Sequence, residues 1–150
     1  NFDLTYVDEN GEKQRPVMLH RALLGSVERF IGVLTEHFAG RFPLWLNPEQ
    51  VVIIPVSDKF LDTAEKLQGE IKEAGFRVSV DARSEGVGYK IRQAQLMRAN
   101  YMLVVGEKEE SSKLLTVRNR DGEEISDVSV DSFIEELNKE RDSKSVNSAF

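Results

Sequence analysis

The sequence contains no cysteine among its 150 residues and only two histidines, His20 and His37. A disulfide framework and a thiolate metal site are therefore excluded within the chain. A lone histidine cannot form a zinc site either, because such a site needs at least three protein ligands. Since nothing indicates an oxidising compartment, we expect a cytoplasmic location.

Long hydrophobic runs and the common cofactor motifs are missing as well. The longest apolar runs, such as residues 101–106, are far too short to span a bilayer, and the first residues lack the charged-then-apolar order of a signal peptide. Neither a G-x-G-x-x-G or G-x-x-x-x-G-K-[ST] phosphate loop nor a G-x-S-x-G nucleophile motif occurs. We therefore expect a soluble protein, and dinucleotide binding and serine hydrolysis are poorly supported.

Acidic residues outnumber basic ones, but the two signs are separated along the chain. The formal net charge is −6, and residues 121–142 carry nine acids against two bases. Residues 83–98 carry one acid against four bases, which are Arg83, Lys90, Arg92 and Arg98. This asymmetry permits a local basic face on an acidic protein, as binding to nucleic-acid phosphates requires.

The first forty residues are predicted to form a hairpin and a helix. Residues 2–8 alternate like a strand, Asn10-Gly11 is a strong turn signal, and the return strand is predicted for residues 15–19. Apolar residues then recur with helical spacing, which predicts a helix from about Ala22 to His37.

Small residues interrupt this predicted helix at Gly25, Ser26 and Gly32. A glycine inside a helix costs about 1 kcal/mol relative to alanine. Something other than helix stability, such as close approach by a backbone or a ligand, should therefore favour small residues there.

The rest of the chain alternates between strand and helix patterns. Residues 43–50 contain two prolines and no clear period, which predicts a linker, and residues 143–150 are predicted to be a flexible tail. Asp58 is predicted to cap the first helix after the linker. Strands are predicted for residues 51–56, 76–81, 101–106, 114–119 and 123–130, and helices for residues 59–74, 88–99 and 131–141.

This order predicts the fold class. Parallel strands joined by right-handed helical crossovers, followed by an antiparallel hairpin, make an α/β domain with a mixed, mainly parallel five-stranded sheet in three layers, α/β/α. The hairpin and helix of residues 1–42 would precede it.

Candidate binding residues follow the predicted strands, where ligands of open α/β sheets usually bind. The basic residues between 83 and 98 suit phosphate and base-edge contacts, with Tyr89 as a stacking face, although on charge alone a solvated helix face is the better explanation. Glu109 and Arg118 would extend the same edge if the fourth strand lies beside the third. The alternative for these two is an ordinary ion pair, which is worth little.

A family resemblance rests on longer stretches. Residues 15–46 read R-P-V-M-L-H-R-A-L-L-G-S-V-E-R-F-I-G-V-L-T-E-H-F-A-G-R-F-P-L-W-L. This stretch resembles the third signature motif of class II aminoacyl-tRNA synthetases in its threonyl-tRNA synthetase form. The segments V-V-I-I-P-V, D-A-R-S-E-G-V-G-Y-K-I-R, Y-M-L-V-V-G-E-K-E and V-R-N-R resemble the anticodon-binding domain of the same family.

The resemblance implies roles for individual residues. Gly25 and Ser26 would leave room for ATP, Arg29 would contact its phosphates or stack on the nucleotide, and His20 would be one of three zinc ligands, the others being absent from this chain. The implied RNA-binding residues are Arg83, Ser84, Glu85, Lys90, Arg98, Glu109 and Arg118.

The resemblance also implies that the chain is the C-terminal part of a threonine–tRNA ligase, with a catalytic-domain remnant at 1–42, a linker at 43–50, an anticodon-binding domain at 51–142 and a tail at 143–150. The full-length enzyme would use ATP, Mg and zinc, charge tRNA(Thr) with threonine, and form a homodimer through its catalytic domain. The fragment would bind the anticodon loop of tRNA(Thr), hold no cofactor and be inactive in aminoacylation. Two alternatives stay open: a non-catalytic synthetase-like RNA-binding or accessory subunit, and a small-molecule enzyme unrelated to RNA.

Overall fold

The computed structural model describes residues 3–150, and the chain divides into two compact units, Asn1–Val33 and Leu34–Phe150. We call them the amino-terminal unit and the α/β unit. Within residues 3–150, no helix is both long enough and apolar enough to cross a membrane.

A short hairpin opens the amino-terminal unit. Strand β1 (Tyr6–Val7) pairs antiparallel with β2 (Lys13–Gln14), and Gly11 in the turn has a φ of +79°, which suits glycine. The predicted turn is thus confirmed. Both strands are shorter than predicted, and residues 15–19 are exposed and form no strand with the other residues of 3–150. Residue 2 of the predicted first strand lies outside the described residues.

Helix α1 (Val27–Phe38) begins five residues later than predicted. The Ser26 hydroxyl accepts a hydrogen bond from the backbone N–H of Arg29 at 3.2 Å, which is the geometry of an N-cap. Gly25, just before it, has a φ of +64°. Two of the three small residues therefore form the start of the helix, and only Gly32 lies inside it.

The α/β unit is built on a five-stranded sheet with the order β4-β3-β5-β6-β7. Its strands are β3 (Val51–Pro55), β4 (Val78–Val80), β5 (Tyr101–Val105), β6 (Leu114–Asn119) and β7 (Glu124–Ser129). Strand β3 pairs in parallel with β4 and β5, whereas the β5–β6 and β6–β7 pairs are antiparallel. Four strands therefore point the same way, and the predicted mixed sheet is confirmed.

Helices cover both faces of this sheet. They are α2 (Leu61–Glu73), α3 (Val87–Leu96), α4 (Glu107–Ser112) and α5 (Val130–Asp142). Along β3, Ile53 belongs to a buried cluster with α2 and α5, whereas Val52 and Ile54 belong to a second cluster with α3. We call the two sides of the sheet the α2–α5 face and the α3 face. Alternation along a strand thus produces the three layers.

Two helix predictions need correction. Asp58 does not cap α2, because it begins a short 3-10 helix (Asp58–Phe60) that precedes α2, and Ser57 occupies the cap position without a side-chain hydrogen bond. Helix α4 was not predicted at all. Its sequence, E-K-E-E-S-S, contains no apolar residue, so it has no hydrophobic period to detect.

Residues 43–50, predicted to be a linker, pack into the α/β unit. Leu44, Asn47 and Gln50 are at most 3% exposed. The Asn47 amide donates to the Asn100 side chain at 2.7 Å, and the Gln50 amide donates to the Leu44 carbonyl at 2.7 Å. These polar side chains follow no apolar period, yet they satisfy buried groups at the amino ends of β3 and β5.

The segment 143–150 also makes more contacts than the predicted flexible tail would. The ring of Phe150 packs against that of Tyr101, with 5.7 Å between centroids. The backbone N–H of Ala149 donates to the Tyr101 hydroxyl at 2.8 Å, and that hydroxyl donates to the buried Glu140 carboxylate at 2.6 Å. These partners are distant in sequence, so no local pattern predicts the contact.

Candidate nucleic-acid interface

Strand β6 presents an uncovered strip on the α3 face. Arg118 pairs with Met102 of β5, and Thr116 pairs with Val104. Met102 is buried under α3, and directly paired residues share a face of the sheet, so Thr116 and Arg118 lie on the α3 face as well. Val104, Thr116 and Arg118 are all partly exposed. We call these three residues together with Glu109 the β6 strip.

Glu109 lies at the end of the strip next to the carboxyl end of β5. Its Oε2 accepts a hydrogen bond from the backbone N–H of Gly106 at 3.1 Å, and its Oε1 accepts one from the Thr116 hydroxyl at 3.0 Å. A carboxylate offers about four lone-pair positions, so acceptor capacity remains. A carboxylate held in this way can accept from the N–H groups of a nucleobase edge.

Arg118 lies nearer the amino end of β5, on the same face. Its side chain is 30% exposed, and its Nε is 3.8 Å from Oε2 of Glu124 on β7. That separation is too long for a hydrogen bond, and the buried Nε has no hydrogen-bond partner among residues 3–150. Arg118 therefore lies beside Glu124 rather than forming the alternative ion pair with Glu109. Its guanidinium keeps donor capacity for a ligand.

The loop between β4 and α3 carries a second group of predicted residues. The Arg83 guanidinium donates to both carboxylate oxygens of Asp81, at 2.8 and 2.6 Å. These hydrogen bonds lower the pKa of Asp81 and raise the pKa of Arg83. The guanidinium also lies 5.8 Å from the ring centroid of Tyr89, within cation–π range. Ser84 and Glu85 beside it are exposed.

Lys90 differs from the exposed base contact that the sequence suggests. It is only 3% exposed, and its Nζ donates to the carbonyl of Pro55 at 3.3 Å. It borders a depression of about 290 Å³ that the 83–85 loop and Asp58 also line. The side chain is turned inward where α3 packs over the end of β3, so its ammonium group is held at the carboxyl end of that strand.

Arg98 lies at the opposite end of α3. It is exposed, has a φ of +63°, and its carbonyl accepts a hydrogen bond from the Asn47 amide at 2.8 Å. The ten residues of α3 separate it from the 83–85 loop by about 15 Å at a rise of about 1.5 Å per residue.

The predicted RNA-binding residues thus share one face of the unit rather than one rim of the sheet. The 83–85 loop and Glu109 lie at the carboxyl ends of the parallel strands, whereas Arg98 and Arg118 lie toward their amino ends. The expectation that all of them extend the same edge of the sheet was wrong, because α3 runs back across the sheet and β6 runs opposite to β5.

The amino-terminal unit places its predicted site residues in less defined surroundings. His20 and Arg29 are exposed, and within residues 3–150 no three histidine, aspartate or glutamate side chains come together as a metal site. His20 therefore does not meet the requirement for zinc with the ligands of this chain. Gly25 and Ser26 have the structural role in starting α1 described above. Their ATP contacts, and that of Arg29, stay predictions.

Comparison with known families decides which domain this is. A family model described as an anticodon binding domain matches residues 50–140. The chain belongs to the anticodon-binding domain family. The match extends from the start of β3 almost to the end of α5, and so it includes the whole sheet, the β6 strip and the 83–85 loop.

The curated relatives of this anticodon-binding domain are longer proteins. The chain is 52% identical over 143 residues to threonine–tRNA ligase of Clostridioides difficile (strain 630), a match that covers 95% of this chain and 22% of that protein. It is 50% identical over 139 residues to threonine–tRNA ligase of Thermotoga petrophila, covering 93% of this chain and 22% of that protein. The chain therefore spans about a fifth of the length of these relatives.

Solved structures give the same fold. The RNA binding domain of threonyl-tRNA synthetase from Cryptosporidium parvum superposes with a TM-score of 0.74 at 38% identity, over 92% of this chain and 35% of that chain. Histidyl-tRNA synthetase from Nostoc superposes with a TM-score of 0.57 over 62% of this chain and 22% of that chain. At 20% identity, this second match supports the fold alone.

Sequence reasoning missed several residues of the anticodon-binding domain that shape its surface. Thr116 and Gly106 hold Glu109, and Asp81 holds Arg83. One signal was available, since Thr116 and Arg118 are two positions apart on a predicted strand and must share a face. The role of Gly106 depends on the fold of α4 and had no signal.

Proposed function

We propose that this chain recognises the anticodon loop of tRNA(Thr) as part of a threonine–tRNA ligase. The observation that carries the proposal is the β6 strip, which is an uncovered part of the sheet with a fixed carboxylate, Glu109, and an arginine, Arg118, on one face. Sequence-specific RNA binding commonly uses unpaired bases on such a surface, because their edges are free for hydrogen bonds.

The strip suits single-stranded bases chemically. Glu109 supplies acceptors and Arg118 supplies donors, so two bases of different edge pattern can be read side by side. Thr116 and Arg118 are two residues apart, which is about 7 Å along a strand, and Val104 and the Thr116 methyl group offer an apolar floor between the polar groups. The Arg83–Tyr89 pair offers a stacking surface, and Arg98 an additional phosphate contact.

The amino-terminal unit supports membership of a larger enzyme. Its exposed apolar side chains include Val17, Met18, Leu19 and Leu23, which are 75–87% exposed. Contiguous exposed apolar surface of this kind usually marks an interaction site. In the proposed enzyme this unit packs against other parts of the catalytic domain, where threonine, ATP with Mg, and zinc bind and where the homodimer forms. The proposal places that enzyme in the cytoplasm.

The proposal is tested by measuring RNA affinity with fluorescence anisotropy. The probes are a labelled tRNA(Thr) anticodon stem-loop and the same stem with its three anticodon bases replaced. We expect tighter binding of the first probe, and we expect Arg118→Ala to reduce that affinity by about 1–3 kcal/mol, the value of a bidentate base contact. The affinity for the replaced loop should hardly change.

Arg141→Ala is the matched control. Arg141 lies on α5 and stacks over Phe76, on the α2–α5 side of the sheet. Removing its charge should lower the affinity for both probes slightly and equally. Equal affinity of the wild-type protein for the two probes, or equal losses in the Arg118 and Arg141 variants, would reject anticodon recognition by the α3 face.

A further inference from the structure

We propose that Thr116 is a positioning residue that sets the direction of the Glu109 carboxylate for base recognition. The inference rests on the proposed function and adds a residue to it. Thr116 contacts Glu109 directly, because its hydroxyl donates to Glu109 Oε1, and the residue is partly exposed on the β6 strip.

The two carboxylate oxygens of Glu109 are held by different parts of the unit. Each receives one hydrogen bond from a different element, Oε2 from the Gly106 backbone at 3.1 Å and Oε1 from Thr116 at 3.0 Å. The backbone contact alone leaves the carboxylate free to rotate about its bond to the side chain. The second contact, from β6, fixes the plane of the carboxylate and hence the direction of its remaining lone pairs.

The Glu109 side chain is partly withdrawn from solvent. Glu109 is half-buried, whereas Glu107, Lys108 and Glu110 of the same short helix are exposed. The withdrawal brings Glu109 against the sheet, where only Thr116 supplies a side-chain donor to it among the described residues. A valine at position 116 would have nearly the same shape and β-strand preference, so packing alone does not require the hydroxyl.

The strand that pairs with β6 is irregular opposite Thr116. Leu115 and Val117 of β6 pair with Val128 and Ile125 of β7, so β7 has one residue more than β6 between these two pairs. Asp127, in this bulge, has a φ of +63°. Asp127 in turn forms an ion pair with Lys108 of α4 at 3.1 Å. A bulge redirects side chains at a functional site. The bulge and the Thr116–Glu109 bond therefore act on the same short helix, α4.

Helix α4 also provides a matched control. Thr63 of α2 donates to Glu110 at 2.7 Å, so a second threonine contacts the neighbouring glutamate from the other side. Thr63→Val removes an equivalent hydrogen bond from α4 without touching Glu109. Any effect that arises only from loosening α4 should appear equally in both variants.

The test measures the affinity of the same two stem-loop probes for Thr116→Val, Thr116→Ser and Thr63→Val. We expect Thr116→Val to reduce affinity for the threonine anticodon about tenfold and to leave the replaced loop unchanged. Thr116→Ser, which keeps the hydroxyl, should retain most of the wild-type affinity, and Thr63→Val should match the wild type.

A double-mutant cycle with Glu109→Ala separates positioning from direct contact. If Thr116 acts through Glu109, Thr116→Val should cause no further loss once Glu109 is absent. Independent losses in the double variant, equal losses for both probes, or wild-type affinity of Thr116→Val would overturn the inference. Should a valine variant fail to fold, Thr116→Ser and Thr116→Ala in the same cycle decide the question.

The failure of this inference differs from failure of the proposed function. If the wild-type protein binds both probes equally, anticodon recognition itself is rejected. If it discriminates between them and Glu109→Ala removes that discrimination, but Thr116→Val does not, only the role of Thr116 is rejected.

Discussion

The amino-terminal unit and the α/β unit carry similar apolar patterns but bury them very differently. In the α/β unit, Ile53, Leu103 and Val117 are fully buried, whereas no residue described between 3 and 33 is buried. Most of the stability of a protein helix comes from packing its apolar face. An apolar period therefore predicts a face suited to packing, but not that the residues described here bury it.

The largest difference between the units should appear when the same residue type is removed from each. Leu103 is 0% exposed and Leu23 is 76% exposed. We expect Leu103→Ala to lower the free energy of unfolding by about 2–5 kcal/mol because it leaves a cavity. Leu23→Ala should change it by less than about 0.5 kcal/mol. Urea unfolding of both variants checks this, and a comparable loss from Leu23→Ala would show that the amino-terminal unit has a core of its own.

A buried asparagine and an exposed one should differ in the same way in their contribution to stability. Asn47→Ala removes the donor to Asn100 and Arg98 and leaves buried acceptors unpaired, so we expect a loss of about 1–3 kcal/mol in unfolding free energy. Asn10, in the exposed turn of the amino-terminal unit, should tolerate alanine with a change below about 0.5 kcal/mol. Equal unfolding midpoints in urea for the two variants would contradict the packing of the 43–50 segment.

A pH dependence follows from Glu140 in the α/β unit. Burial raises its pKa, although hydrogen bonds from Tyr101 and Ala149 and the charge of Arg120 partly oppose the shift. A raised pKa in the folded state means that stability falls as the pH rises from the ordinary glutamate value of about 4.3 through the raised one. Glu140→Gln cannot ionise, so its stability relative to the wild type should increase over that range. Unfolding at several pH values measures this, and a constant difference would contradict it.

Two ion pairs, one in each unit, should contribute least to stability. Asp81→Asn removes the bidentate contact with Arg83. Asp3→Asn removes a single 2.6 Å contact with Arg15, in which the Arg15 side chain is 80% exposed and the Asp3 side chain 74%. We expect a loss of about 0.2–1 kcal/mol in unfolding free energy for Asp81→Asn and none measurable for Asp3→Asn.

Because the pKa of Asp81 is lowered in the folded state, its contribution to stability is complete above the ordinary aspartate pKa and disappears as the pH falls through the lowered pKa. Urea unfolding at several pH values checks both expectations. A larger loss for Asp3→Asn than for Asp81→Asn, or an Asp81 contribution that grows as the pH falls, would contradict them.

Much of the α/β unit could be predicted from the sequence, and the failures have physical causes. The strands were predictable because continuous apolar runs such as Val51–Pro55 become buried on both faces. Helix α4 and the 43–50 segment were not, since polar side chains such as Asn47 and Glu109 pack through hydrogen bonds that follow no period. The burial of Lys90 was hidden for a related reason, because its partner is the Pro55 carbonyl on another element. The candidate residues could be chosen from the sequence by their charge and hydrogen-bonding groups. Their positions on one face could not, because these depend on the directions in which α3 and β6 run.

We propose above that the α3 face of the α/β unit binds unpaired anticodon bases. Amide chemical shifts, measured by NMR while the tRNA(Thr) anticodon stem-loop is added to the isotope-labelled chain, test it most directly. We predict the largest changes at Val104, Thr116, Arg118 and the 83–85 loop, with no change in the β1–β2 hairpin. Changes confined to that hairpin or to α2 and α5, with the β6 strip unaffected, would contradict the account.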